Sequence, residues 1–236
     1  MEIKKKGGGK LTYLKQVLYN LERNPKVLFT IQKANSNLKA WGYTEHGIRH
    51  AKITSQRAMY ILQKLSYPEE DIYLAGIAGF LHDIGNVISR YNHEISSSFI
   101  TFEILKEMNV RYEDIIKVVS AIGSHEDNSF LDIPDHIASA VVIADKSDVH
   151  RSRVQNTDMN TFDIHDRVNY AVEKDKLIVN KNSSKHHIIL DLKINTNYSS
   201  IIEYFEIFLH RMKMCKRSAE VLSSEFHLII NGQRMA

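Results

Sequence analysis

Five places in the sequence carry side chains that bind transition metals: His46 and His50, the dipeptide His82-Asp83, His93, His125 and Asp145. Histidine is plentiful, with twelve against a single cysteine, Cys215. Metal chemistry in such a chain would use imidazole nitrogen and carboxylate oxygen. That donor set suits Mn, Fe, Ni, Co or Zn better than calcium. Two of the places sit in apolar runs, His82-Asp83 in LAGIAGFLHDIG and Asp145 at the end of SAVVIAD. Burying an imidazole or a carboxylate there is costly unless the group is paired or binds a cation. Adjacent helical residues point about 100° apart, so His82 and Asp83 reach one ion only where the last turn opens, and Gly85 supplies that opening.

The elements that must position these groups read mostly as helices. Leu11, Leu14, Val17, Leu18 and Leu21 recur at helical spacing. Asn24-Pro25 reads as an N-cap and first helical residue, opening a helix to about Leu38 that Gly42 breaks. Thr44 and Gly47 mark the start of a helix to about Leu65. Pro68, Glu69 and Glu70 start another, which carries its apolar residues to His82-Asp83. The pattern predicts further helices over 94–108, 112–122, 134–150 and 164–173, with a loop over 126–133.

After about residue 174 the pattern changes. Leu177-Ile178-Val179, a turn cluster over 180–184, and the alternation Ile188, Leu190, Leu192, Ile194 predict two strands. A long helix follows, and 226–230 reads as a closing strand. Ile201, Phe205, Phe208, Met212, Cys215, Ala219 and Leu222 form a stripe at alternating spacings of four and three residues. It could be a homodimer seam. Packing on the annex sheet is the favoured reading, because a sheet needs a cover. The expected divisions are an N-terminal tail and helices over 1–39, a metal-binding helical domain over 40–173 and an α+β annex over 174–236.

Composition excludes other classes. With 43% hydrophobic and 25% charged residues the chain is globular rather than disordered or fibrous. One cysteine excludes an internal disulfide and a cysteine zinc finger. A net charge of +3 does not indicate a nucleic-acid partner. No apolar run is long enough to span a membrane. The basic start MEIKKKGGGK lacks an apolar signal core, so a cytoplasmic protein is expected.

The order His50, His82-Asp83, Asp145 resembles the HD-domain metal-dependent phosphohydrolases. The stretches TEHGIRH, LHDIGN and ADKSDVHRSRV carry the resemblance, which covers roughly residues 40–170. It implies a mainly α fold, an HD helical bundle, here with a small ββαβ annex. It implies that His50, His82, Asp83 and Asp145 ligate a principal divalent ion. His93 and His125 match the extra histidines of members that bind two. His46 lies four residues before His50, and His50 is favoured because the family's first histidine precedes a long amphipathic helix.

The activity implied is cleavage of a phosphomonoester or phosphodiester in a small phosphorylated substrate, a nucleotide being the favoured class, by metal-activated water, with Asp83 or Asp145 orienting that water. Its cofactor would be one or two divalent transition metal ions. Arg49, Arg57, Arg90, Lys146, Arg151 and Arg153 could neutralise phosphoryl charge, Lys146 and Arg151 first, as residues of one helix. Asp148 is expected to pair with an arginine rather than bind metal.

Many members carry Lys, His or Glu three residues after the paired Asp. Here Asn86 stands there, which can hydrogen-bond substrate but not transfer a proton. Acid catalysis would then fall to His93, His125 or water. The GYP signature of cyclic di-GMP hydrolases is missing after His125, and no synthetase domain accompanies the HD part. Two alternatives stand beside the hydrolase: a non-catalytic metal- or nucleotide-binding regulatory module, and a di-iron oxygenase of the same scaffold.

Overall fold

The computed structural model describes residues 8–126, 133–182 and 185–235. The loop expected over 126–133 and the end of the 180–184 turn cluster lie largely outside the described residues.

The first helices form where local signals place them. Helix α1 (Gly8–Leu21) is followed by α2 (Pro25–Ala40), whose Asn24 cap accepts from the Lys26 N–H with Pro25 in the first turn. Helix α2 stops at Gly42, whose φ of 82° few other residues adopt. Helices α3 (Ile48–Lys64) and α4 (Glu69–Leu81) pack together at the centre. Every residue of α4 from Leu74 to Leu81 is buried. Its neighbours cover it on all sides: α1, α3, α6 (Tyr112–Gly123) and α7 (His136–Lys146). A short 3-10 turn, Ile84–Val87, leads to α5 (His93–Glu107), which packs on α6.

Helix α7 is shorter than the pattern predicts. Asp135 caps its start by accepting from the Ala138 N–H, and it ends at Lys146 rather than residue 150. Beyond it the Asp148 side chain turns back to His50, Arg49 and Arg153, and the chain continues as a 3-10 turn, Arg151–Arg153. Lys146 and Arg151 therefore do not share a helix, which corrects that expectation.

Helix α8 (Ile164–Ala171) runs directly into β1 (Val172–Lys181). Strand β2 (His186–Ile194) pairs antiparallel with β1. Helix α9 (Ile201–Val221) then crosses over to β3 (Ser224–Ile230), parallel to β2. A two-residue strand β4 (Gln233–Arg234), absent from the expected ββαβ order, adds antiparallel to β3.

Ser200 and Glu203 form a reciprocal capping box at the start of α9. The stripe expected as sheet cover or dimer seam is buried within the chain: Phe208, Met212, Cys215 and Ala219 pack between β3 and α7. The annex thus leans on the helix that carries Asp145. Among the described residues, no helix is long and apolar enough to cross a membrane.

Candidate metal centre

Five element ends converge on one buried pocket. His50 lies in the first turn of α3, His82-Asp83 follows α4, His93 opens α5, His125 follows α6, and Asp145 lies in the last turn of α7. Of these, His50, His82 and His125 are fully buried, and Asp83 and Asp145 are 8% and 7% exposed.

Two donor sets share Asp83. In the first, His50 Nε2 is 3.2 Å from His82 Nε2, 3.2 Å from Asp145 Oδ1 and 3.6 Å from Asp83 Oδ2. His82 Nε2 is 3.3 Å from Asp83 Oδ2 and 3.7 Å from Asp145 Oδ1. Ligands bound at about 2.1 Å stand roughly 3.0–3.4 Å apart around one ion, so this spacing fits a single cation. In the second set, His93 Nε2 is 3.1 Å from both His125 Nε2 and Asp83 Oδ1, and 3.8 Å from Glu126 Oε1. Asp83 therefore presents one oxygen to each set.

The far side of each ring fixes its tautomer. His82 Nδ1 donates to Gly79 O at 2.8 Å, His125 Nδ1 to Ile122 O at 2.6 Å and His93 Nδ1 to Arg90 O at 3.1 Å. A carbonyl only accepts, so each Nδ1 carries the proton. His50 Nδ1 donates to Asp148 Oδ2 at 2.6 Å. All four Nε2 atoms consequently face inward in two close pairs, an arrangement that a cation relieves.

The electrostatics point the same way. Burial alone would lower the His82 pKa, yet Asp83 and Asp145 push it up to about 10, so the first donor set attracts positive charge. Burial opposes ionisation of Asp83 and Asp145 as well. His82 beside the first and Lys146 beside the second nevertheless hold both carboxyls well below the usual range. Burial, helped by His93, His82 and Lys146, pushes His125 down to about 3, which keeps its lone pair free.

Supporting groups lock this geometry. Asn86 is fully buried and donates from Nδ2 to the Asp83 carbonyl and to Asp83 Oδ1, both at 2.9 Å. Its amide nitrogen thus orients the donor that both sets share. Asp148 is held ionised against burial by Arg153, His50 and Arg49, and as expected it pairs with arginines. Gly85 packs so closely on the start of α5 that a Cβ there would run into His93 O and the Ser97 N–H. His46 precedes α3, turns its Nδ1 to Thr44 O at 2.6 Å and meets His50 edge-on at 5.4 Å between ring centroids.

The cations divide differently from expectation. Lys146, 3% exposed, lies 2.9 Å from Asp145 Oδ2 and 3.1 Å from Glu126 Oε1. Arg90 lies 3.2 Å from Glu126 Oε1 and 4.0 Å from Asp83 Oδ1. Arg151 is turned away, to Glu173 on β1 at 3.4 Å and over the Tyr170 ring at 5.2 Å. Arg49 bridges Glu45 and Asp148, both at 3.2 Å, and so supports His50 from outside. Arg57 is taken by Asp175 at 2.7 Å, and Arg153 by the Glu45 and Asp148 carbonyls.

Two groups here escaped sequence reading. Glu126 sits next to His125 in GSHED, a signal that was visible, and Lys146, His125 and Arg90 hold its carboxyl well below the usual range against burial. Arg211 had no local signal. It comes from α9, on the face that carries Phe208 and Cys215 against α7, with its guanidinium 4.7 Å from the Phe208 ring centroid. Burial and Arg153 lower its pKa while Asp145 and Glu126 pull it back, and it has no ion pair among the described residues.

A family model for the HD domain matches residues 45–149. These residues form an HD domain. The match begins at Glu45 and ends at Val149, so it takes in every donor of both sets. HD domains bind divalent metals, and the clusters His50/His82/Asp145, His82/Asp83/His125 and His93/His125/Glu126 could hold them.

An uncharacterized protein of Methanocaldococcus jannaschii is 24% identical over 225 residues, covering 84% of this chain and 83% of its own. Two ribonuclease Y chains, from Oceanobacillus iheyensis and Latilactobacillus sakei, are 34% and 39% identical over 83 and 80 residues. These cover 35% and 34% of this chain but only 14% and 13% of the ribonuclease Y chains.

Proposed function

We propose that the HD domain is a metal-dependent phosphohydrolase that cleaves a phosphomonoester or phosphodiester, with a nucleotide as the substrate class. One observation carries the reading: four inward Nε2 atoms and both oxygens of Asp83 converge beside Lys146 and Arg90. His50, His82, Asp83 and Asp145 would hold one divalent ion. His93, His125, Asp83 and Glu126 would hold a second. Such ions, when bound, supply Lewis acidity and lower the pKa of a coordinated water from 15.7 towards about 7.

The chain itself contributes position and charge. Asp148 fixes the His50 tautomer and Asn86 holds Asp83, so the donors are oriented before substrate arrives. Lys146, Arg90 and Arg211 bind the non-bridging phosphoryl oxygens, where negative charge develops as the ester breaks. Arg211 suits that role because it forms no ion pair among the described residues, although Asp145 and Glu126 act on it. His125, pushed down to about 3 chiefly by burial, presents a lone pair rather than a proton and so does not serve as the acid for the leaving group. The cationic rim favours an anionic substrate over the oxygenase reading. The local similarity to the ribonuclease Y chains supports a phosphoester of nucleotide type.

The test is phosphate or nucleotide release by the Mn-loaded protein across nucleotides and generic phosphomono- and diesters, alongside Asp83→Ala. Turnover should vanish in the variant together with bound metal, while its circular dichroism is unchanged. Full metal occupancy in Asp83→Ala would overturn the ligand assignment. Turnover on none of the substrates by metal-loaded wild type would overturn the hydrolase.

A further inference from the structure

A second donor cluster lies on the annex, outside the HD domain. Glu225 and His227 alternate along β3, and His187 of β2 is the cross-strand partner of Glu225. Ile188, Leu190, Phe226 and Leu228 point to the core, so His187, Glu225 and His227 share the opposite face of the sheet. His187 Nδ1 stands 2.8 Å from His227 Nε2, and Glu225 Oε2 is 3.5 Å from the former and 3.7 Å from the latter.

These three atoms define the corners of one small triangle. Its edges match the roughly 3.0–3.4 Å expected of ligands around a first-row divalent ion within a few tenths of an ångström. The pair of histidines alone could share a proton. The third donor, closing on both from the side, is what a proton does not need and an ion does. Two imidazoles and a carboxylate form a zinc donor set that leaves a fourth position open. Lys185 takes the other carboxylate oxygen, Oε1, and leaves Oε2 to the cluster. Access is open: His187 and Glu225 are 28% and 41% exposed, and a cleft of about 590 Å³ lined in part by Lys216, Ser223 and Arg234 reaches Glu225 and His227.

We propose that His187, Glu225 and His227 form a second, independent divalent-metal site, of zinc type, which clamps β2 to β3. These strands are parallel, and the chain joins them only through the long α9 crossover. An ion bound across them would tie the start of β2 to the start of β3, where that crossover ends, and steady the helix that brings Arg211 to the HD domain. Because it binds the folded annex and not the unfolded chain, it would also raise thermal stability.

The experiment uses the full chain with both HD donor sets disabled by His50→Ala, Asp83→Ala and His125→Ala together. Zn(II) bound per chain is measured by equilibrium dialysis, and Co(II) uptake by the visible absorption of a tetrahedral ion. One equivalent should remain in this background, with a rise in Tm on adding Zn(II). Adding His187→Ala, or separately the isosteric Glu225→Gln, should remove that equivalent and the Tm rise. Circular dichroism of the metal-free protein should not change, since both side chains are partly exposed. The site is refuted if the disabled background binds no Zn(II), or if its bound Zn(II) survives both substitutions. Neither result depends on the hydrolase reading, because no turnover is measured.

Discussion

Asp148→Asn isolates what one buried carboxylate does for the metal centre. Asp148 Oδ2 accepts from His50 Nδ1 at 2.6 Å, a short, charge-assisted contact in a place 1% exposed. Asparagine keeps the shape and one acceptor oxygen but removes the charge. A hydrogen bond to a charged group contributes about 1.5–3 kcal/mol and a neutral one about 0.5–1.5 kcal/mol. The difference, about 1–1.5 kcal/mol, is the part of His50's basicity that the ion feels, and it corresponds to roughly tenfold in metal affinity. Substitutions of such outer partners cost about 10–100-fold, so the expected loss lies at the lower end of that range.

The substitution also weakens the pairing of Asp148 with Arg153, 3.8 Å away, but Arg153 keeps its bonds to the Glu45 and Asp148 carbonyls. A cost of about 3 kcal/mol from the altered pair would leave a domain with about 5–15 kcal/mol folded. The assay is competition for Mn(II) or Zn(II) against a chelator of known strength, with circular dichroism as the check on folding. A folded variant whose metal affinity changes less than twofold would refute the argument that Asp148 tunes His50.

Other perturbations reach other parts of the site. Arg211→Ala should lower kcat/KM by about 10- to 150-fold, the worth of one charged contact of about 1.5–3 kcal/mol, without changing bound metal; equal loss of metal would mean that the residue acts on the fold. Gly85→Ala forces a Cβ into His93 O and the Ser97 N–H, which should cost at least about 1–3 kcal/mol and lower Tm by about 2–4 °C per kcal/mol; an unchanged Tm would show that the turn has room. The His82 pKa, pushed up to about 10 from 6.5, sets a pH window. In chelated protein the charged ring stabilises the fold fully below about 6.5, and that contribution is lost as pH rises towards 10. Metal affinity should move oppositely, strengthening over that window with one proton released per ion; calorimetry in buffers of different ionisation enthalpy counts the proton, and an affinity independent of pH would contradict the coupling.

Much of this molecule is written in local pattern. The Asn24-Pro25 start, the acids at the head of α4, the Gly42 stop and the alternation along β2 each act within a few residues, so the element order could be read directly. The donor types were legible for a similar reason. A histidine and a carboxylate inside LAGIAGFLHDIG stand out against an apolar background whatever the fold does with them.

What the tertiary structure decided is where those side chains point and what stands behind them. No spacing rule turns Asp148 back onto His50, ends α7 four residues early or ties Asn86 to Asp83. These depend on packing between helices distant in sequence. Arg151 and Arg211 show the contrast most clearly. Arg151 lies in the stretch ADKSDVHRSRV that carries the resemblance, and the fold turns it to Glu173. Arg211 belongs to an annex helix with no motif, and the packing of α9 on α7 carries it to the metal centre. Sequence determined which atoms could bind a cation, because that is a property of side chains. Only the fold chose which of them meet, because convergence in space is set by the burial of apolar faces far apart in the chain.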